Sequence, residues 1–312
     1  MLMKPAWPYF GAKTRAAETI WRLLGNPPLY IEPFCGTCAV LLGRPGWRPG
    51  LRRDEIVNDA DGLLVNTLRA IRYRPSVALR HAGTQSSEID MHARQARLAQ
   101  VDTGALRAWL EASPTAYDPV LAGWWLACAC DAIGKPIPPG PWTVQDGHLA
   151  NTGGGGIARS IPSLNRRCGI RAGDGRQRVY AIAERLAAVN ILAGDWRRAL
   201  APSTTSRRSP GLSDGGSPGI LLDPPYTVGA NLYAHGDDTI SAQVEQWCLT
   251  EAPHDWRIIV CGYVGDHPAL EQAGWAVHQG AAAGSGYCHT AASSRETLWA
   301  SPACESTAPM LC

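Results

Sequence analysis

Short apolar runs alternate along this chain with segments of helical periodicity, and that alternation limits the possible folds more than any other feature. Leu29-Tyr30-Ile31 runs into Glu32-Pro33-Phe34-Cys35-Gly36, and Ile56-Val57 into Asn58-Asp59. Val189-Asn190-Ile191-Leu192 ends at Gly194-Asp195-Trp196, and Ile220-Leu221-Leu222 stops at Asp223-Pro224-Pro225-Tyr226. Ile258-Ile259-Val260 is a further run of the same kind. Between these runs, Ala17, Ile20, Trp21 and Leu24 fall at i, i+3, i+4 and i+7 and are closed off by Gly25-Asn26-Pro27, the pattern of an amphipathic helix. Leu64, Leu68 and Ile71 mark a second helix, Val179, Ile182, Ala183 and Leu186 a third, and residues 240–249 a fourth. Strands alternating with helices predict an α/β fold, a Rossmann-like, doubly wound and mostly parallel sheet. After a short helix stopped by Gly274 comes Trp275-Ala276-Val277, and Thr297-Leu298-Trp299 then reads as a last strand antiparallel to its predecessor.

The rhythm breaks between about Arg72 and Arg178. One helix is expected there, over residues 119–133, followed by a Pro/Gly-rich stretch and four consecutive glycines, Gly153 to Gly156. The reading is therefore of residues 1–71 and 179–312 as one domain, with 72–178 as an inserted, loop-rich, partly helical region. Ala201 to Gly219, rich in Ser, Pro and Gly, reads as a surface loop. No internal repeat is visible.

Composition sets outer limits. At 312 residues, 45% hydrophobic and 18% charged, the chain can bury a sizeable core, which excludes global disorder. No run approaches the ~18 apolar residues of a membrane helix, and Met1-Leu2-Met3-Lys4-Pro5 lacks the apolar core of a secretion signal. A soluble, cytoplasmic protein with reduced thiols and no membrane partner is expected. Net charge is only +2, and just three lysines, Lys4, Lys13 and Lys135, accompany the arginines. Arginine suits phosphate contacts, although a GC-rich coding sequence enriches it too. Cys35-Gly-Thr-Cys38 is a CxxC without a second ligand pair, so no metal is expected.

Asp223-Pro224-Pro225-Tyr226 carries the most chemistry. In open α/β sheets ligands bind beyond the carboxyl ends of strands. The exocyclic amino group of a nucleobase is a poor nucleophile, because its lone pair is delocalised into the ring. A carboxylate and a backbone carbonyl that accept both N–H groups localise that lone pair. Prolines, with fixed φ and no N–H, hold such acceptors in place, and a tyrosine offers a face for stacking. An ordinary strand-ending turn also favours proline.

Glu32-Pro33-Phe34-Cys35-Gly36 is a strand end whose glycine lets a ligand approach the backbone. It is not a dinucleotide fingerprint, since G-x-G-x-x-G is absent. Asp59, 23 residues after Gly36, stands where a carboxylate grips ribose hydroxyls; capping of the next helix by Asp59 or Asp61 is the structural alternative. Trp7-Pro8-Tyr9-Phe10-Gly11-Ala12-Lys13 could cover a small ligand or form a core aromatic cluster.

In this order, with an insert before Asp223, these motifs resemble the DNA adenine-N6 methyltransferases of the D12 class over most of the chain outside the insert. The resemblance implies S-adenosylmethionine as cofactor and DNA as substrate, with the target adenine flipped out of the duplex. Tyr9, Phe10, Gly11 and Lys13 match the N-terminal motif that lies against the cofactor. Glu32, Pro33, Phe34 and Gly36 match the loop under its methionine portion, and Asp59 the ribose-binding acid. Asp195 and Trp196 match more loosely an Asp-aromatic pair beside the cofactor adenine. Asp223, Pro224, Pro225 and Tyr226 match the motif that holds the target base. Ala12 and Cys38 depart from the family pattern, at positions where many relatives carry glycine and another small residue respectively. A partner restriction nuclease is compatible with this class, and the sequence leaves the oligomeric state open.

The insert lies where that family carries target recognition. From Asn151 to Tyr180 there are six arginines, Arg159, Arg166, Arg167, Arg171, Arg176 and Arg178, against Asp174 alone. Interleaved with glycines, they suit a phosphate backbone; a solvated linker has a similar composition. Of these, Arg159, Arg166, Arg167 and Arg171 are the expected DNA contacts. Trp124 and Trp125 are expected in the core rather than in the duplex. Cytosine N4, RNA adenine or a glutamine amide as methyl acceptor, a non-catalytic nucleic-acid-binding protein and, more remotely, a nicotinamide-dependent enzyme are the competing readings.

Overall fold

A computed structural model describes residues 3–7, 13–51, 53–83, 88–131, 142–145, 148–151, 175–205, 217–225, 239–279 and 296–304. In chain order its elements begin with α1 (Ala17–Leu24), β1 (Leu29–Glu32), α2 (Ala39–Leu42), β2 (Asp54–Asp59), α3 (Gly62–Tyr73), α4 (Pro75–Gly83), α5 (Glu88–Ala99) and α6 (Thr103–Ala112). Next come α7 (Pro119–Asp131), β3 (Trp142–Gln145), β4 (His148–Asn151), α8 (Gly175–Leu186), β5 (Asn190–Ala193), α9 (Arg197–Leu200) and α10 (Pro202–Thr205). The last are β6 (Gly219–Leu222), α11 (Thr239–Thr250), β7 (Arg257–Tyr263), α12 (Pro268–Gln272), β8 (Ala276–Gln279) and β9 (Glu296–Ala300). The described residues form two compact units, one of 13–60 with 188–304 and the other of 3–7 with 61–187.

The first unit is built on a seven-stranded sheet in the order β5-β2-β1-β6-β7-β9-β8. Its five parallel strands, counted in chain order, run 3-2-1-4-5. That is the doubly wound, Rossmann-like order, with its reversal point between β1 and β6. The strands read as unbroken apolar runs because both faces are covered. Leu29, Ile31, Ile56, Ile220, Leu222, Ile258, Val260 and Trp299 pack on α9, α11 and α12 through Ala199, Leu200, Val244, Trp247 and Leu270. Their neighbours in sequence, Tyr30, Val57, Leu221 and Ile259, are buried on the opposite face, where Trp21 of α1 lies 4.5 Å from the Tyr30 ring. Helix α1 buries Ala17, Ile20, Trp21 and Leu24 and ends at Gly25, whose left-handed φ of 62° fits a glycine C-cap.

Strand β9 pairs antiparallel with β8, as expected, and also with β7. It is therefore inserted between them, a neighbour relation that local sequence pattern does not encode. Within the expected loop 201–219, Pro202–Thr205 forms a single helical turn.

The second unit is more helical than the sequence suggested. Besides α7, which covers Pro119–Asp131 of the one expected helix, residues 75–112 form α4, α5 and α6. Helices α3, α4 and α5 pack on α7, and α3 and α8 fall in this unit. Asp61, Asp102 and Asp118 accept backbone N–H groups at the starts of α3, α6 and α7, which satisfies donors that the first turn leaves open. Trp125 is buried edge-on against Trp7 at 5.5 Å, so both tryptophans are core residues.

Candidate functional site

Parallel strands deliver their carboxyl ends to one edge of a sheet. In the first unit that edge carries Glu32, Asp59, Gly194 and Asp223, each at or just past the end of its strand. Strand β9 runs the other way, so its first residue, Glu296, lands on the same edge, paired with Tyr263 at the end of β7. Strands β1 and β6 are neighbours with Ile31 opposite Ile220. Continuing that register sets Asp223 level with Phe34, and adjacent strands lie ~4.8 Å apart.

The β1 corner is stapled to the ends of β2 and β5. Cys35 N–H donates to Asn58 O at 2.9 Å, and Gly36 N–H donates to Asp59 Oδ2 at 2.9 Å. The Asn58 amide donates to Pro33 O and to Gly194 O, each at 3.0 Å. Asn58, buried at 1% exposure, thus ties three strand ends together. Gly36 (φ 47°) and Cys38 (φ 57°) both hold left-handed backbone, natural for the glycine and strained for the cysteine. Glu32 is buried beneath the corner and accepts the Tyr30 hydroxyl at 3.1 Å. Burial, then the Glu32 charge, pushes the Tyr30 phenol well above its ordinary range. Burial followed by the Cys38 thiol raises Cys35 in the same way, so the CxxC thiol stays protonated. Among the described residues no group of three or more His, Cys, Asp or Glu side chains could hold a metal.

On the other side of the reversal point, Asp223 is half-buried, Pro224 buried and Pro225 half-buried. Lys13 Nζ lies 2.9 Å from Asp223 Oδ2 and 3.5 Å from Glu296 Oε1. Tyr263, beside this group, has its phenol raised by partial burial and then by the Glu296 charge, with Lys13 opposing. Burial and then Asp223 raise the Cys261 thiol, again against Lys13.

The expected site residues therefore fall into three sets. Glu32, Pro33, Phe34, Gly36, Asp59 and Asp223–Pro225 occupy one sheet edge, together with Lys13, whose described ion pairs are to Asp223 and Glu296. Trp196 is nearby but belongs to the core: it is 4% exposed, stacks on Phe34 at 5.9 Å and meets Trp247 edge-on. Asp195 is exposed and accepts the Arg197 N–H at 2.8 Å where α9 begins. The helix-capping alternative is settled residue by residue, since Asp61 caps α3 while Asp59 bonds to Gly36. Tyr9, Phe10, Gly11, Tyr226, Arg159, Arg166, Arg167 and Arg171 lie outside the described residues. The residue that sequence reasoning missed is Glu296, because only antiparallel placement of β9 brings it to this edge.

No protein-family model matches the chain, and no curated protein matches it in sequence. Among the described residues no helix is long and apolar enough to cross a membrane.

Proposed function

We propose that the chain methylates the N6 amino group of adenine in DNA, with S-adenosylmethionine as the methyl donor. The observation that carries this reading is the Asp223-Pro224-Pro225 corner, held by Lys13 next to the Glu32–Gly36 corner at the reversal point of a doubly wound sheet. Ligands of such sheets bind at that crevice.

The residues present suit the cofactor. Asp59 is half-exposed and offers a carboxylate for ribose hydroxyls, while Phe34 presents a half-buried ring. Thr37 Oγ1 and Asn58 Oδ1 are buried without a hydrogen-bond partner among the described residues. An unmet buried polar atom costs ~1–3 kcal/mol, so both gain from polar groups of a ligand at this loop. The cofactor supplies a methyl group on positively charged sulfur, which needs no further activation.

The chain's own part is to prepare the nucleophile. The base must leave the duplex, at a cost of a few kcal/mol, and Tyr226 provides its stacking face. The Asp223 carboxylate and the Pro224 carbonyl accept the two amino hydrogens and direct the nitrogen lone pair out of the ring plane. The prolines keep both acceptors fixed, so little reorganisation accompanies the reaction. The methylated nitrogen then sheds one proton.

Asp223→Ala is expected to leave S-adenosylmethionine binding, measured by calorimetry, nearly unchanged, while tritiated-methyl incorporation into DNA falls by ~10²-fold or more. Wild-type turnover by this variant rejects the assignment. Digestion of the methylated DNA to nucleosides identifies the acceptor, and N4-methylcytosine as the product would replace adenine in this reading.

A further inference from the structure

Two buried polar atoms at the Glu32–Gly36 corner, Thr37 Oγ1 and Asn58 Oδ1, have no hydrogen-bond partner among the described residues. Thr37 is 4% and Asn58 1% exposed, so both side chains lie inside the fold. They belong to one neighbourhood. Thr37 follows Gly36 within the turn that Cys38 N–H closes on Cys35 O at 2.7 Å, and Cys35 N–H in turn donates to Asn58 O. Packing alone does not call for a hydroxyl at position 37, since valine has the shape of threonine and leaves no polar atom unmet. What each atom can give or accept narrows its partner. Both hydrogens of the Asn58 amide are committed, to Pro33 O and Gly194 O at 3.0 Å each. Its Oδ1 is therefore an acceptor only and needs a donor, whereas the Thr37 hydroxyl has a hydrogen to give. A ligand that suits the pair presents a donor and an acceptor side by side.

We propose that Thr37 and Asn58 bind the amino-acid end of the methyl donor: the Thr37 hydroxyl donates to its carboxylate, and Asn58 Oδ1 accepts from its ammonium. The inference rests on the methyl-transfer reading and adds to it two binding residues and the group each one reads. Of the donor's three parts, the ribose offers hydroxyls that the Asp59 carboxylate can accept, and the adenine is flat with apolar faces. The amino-acid end alone sets an ammonium beside a carboxylate. Asn58 thereby serves twice. The two bonds that tie the strand ends together also hold its Oδ1 in place, so little freedom is lost when the ligand arrives.

Calorimetric titration of the full-length protein with S-adenosylhomocysteine tests this, because that compound keeps the amino-acid end and undergoes no reaction. Thr37→Val is expected to bind it about tenfold more weakly than wild type, the fold-change of one hydrogen bond to a charged group. Thr37→Ser keeps the hydroxyl and restores most of the affinity. Against 5′-methylthioadenosine, which lacks the amino-acid end, wild type and Thr37→Val are expected to bind equally. A deaminated S-adenosylhomocysteine has no donor for Asn58 and should bind wild type at least about tenfold more weakly than the parent compound. A second readout needs no ligand. Thr37→Val buries no unmet hydroxyl, so its melting temperature is expected to rise by ~2 °C or more. A variant that melts lower carries a hydroxyl already satisfied within the fold and overturns the proposal. Equal affinity of wild type and Thr37→Val for S-adenosylhomocysteine, an equal loss for 5′-methylthioadenosine, or a deaminated compound as tight as its parent does the same, and leaves the methyl-transfer reading standing. A wild-type protein that binds neither S-adenosylhomocysteine nor S-adenosylmethionine sinks that reading, and this inference with it. Should Thr37→Val not fold, Thr37→Ala carries the affinity comparison.

Discussion

His267 shows how a single residue couples burial to pH. It lies fully buried between β7 and α12, with Nε2 3.5 Å from Ser241 Oγ and its ring edge-on to Trp299 at 4.9 Å. Burial holds its imidazole below its ordinary value, and the nearby Glu245 and Asp266 charges offset this only in part. Above the ordinary value, about pH 6.5, His267 is neutral both folded and unfolded and has no effect on the slope of stability with pH. Below it the unfolded chain takes up a proton that the folded site resists, so stability is lost as pH falls through this window. His278, half-buried and also lowered, first by burial and then by Arg22, acts in the same direction. Melting temperatures near pH 8 and pH 5.5 should therefore differ, and His267→Gln should narrow the difference without abolishing it; the window is set by the usual imidazole range. An unchanged difference would mean that His267 titrates normally in the fold.

Packing between helices α4 and α7 decides a substitution that propensity alone would misjudge. Replacing a mid-helix glycine by alanine ordinarily gains ~1 kcal/mol. A Cβ on Gly123, however, would sit 2.5 Å from His81 Cβ and 2.6 Å from Ala78 O. Neither is the end of a flexible side chain, so the helices must separate, and overpacking costs ~1–3 kcal/mol. Gly123→Ala should therefore lower the melting temperature; a rise would show that α4 yields easily. The same balance of local pattern against tertiary context explains what could be read from the sequence. Strands β1, β2, β6 and β7 were legible because each is an apolar run buried on both faces, and β5, whose Asn190 is exposed, because Ile191, Leu192 and Ala193 lead into Gly194 and Asp195. Glu32, Asp59 and Asp223 were legible because they terminate such runs. Helices α4, α5 and α6 were not, since among the described residues they bury few side chains (Ala78, Leu79 and Ala82 in α4, Gln95 and Leu98 in α5, Leu110 in α6) and leave Trp109 of α6 exposed. Glu296 begins a strand instead of ending one, so its place depends on the direction of β9. The bonds of Asn58 run to Pro33 and Gly194, the second of which is 136 residues away, beyond any local pattern.

At the scale of the whole molecule, the proposed chemistry and affinity for a polyanion call for opposite charges. Among the described residues at the sheet edge the acids Glu32, Asp59, Asp223 and Glu296 outnumber the one lysine, Lys13, a balance that suits a developing cation better than a phosphate. Total charge is only +2, so long-range attraction to DNA is weak and attachment must come from a local concentration of cations. The sequence offers one between Asn151 and Tyr180, where six arginines face a single aspartate. Each phosphate neutralised on duplex DNA steepens the dependence of log K on log salt by ~0.9. Replacing Arg166 and Arg167 together by alanine should reduce that slope by about 2 if both contact phosphate. Binding should weaken similarly for unrelated duplexes, because phosphate contacts carry no sequence information. Fluorescence anisotropy of a labelled duplex at several salt concentrations measures both effects. A double variant with the wild-type slope would place the phosphate contacts on other arginines and leave this stretch a solvated connection. A loss confined to one duplex sequence would instead make these arginines readers of bases.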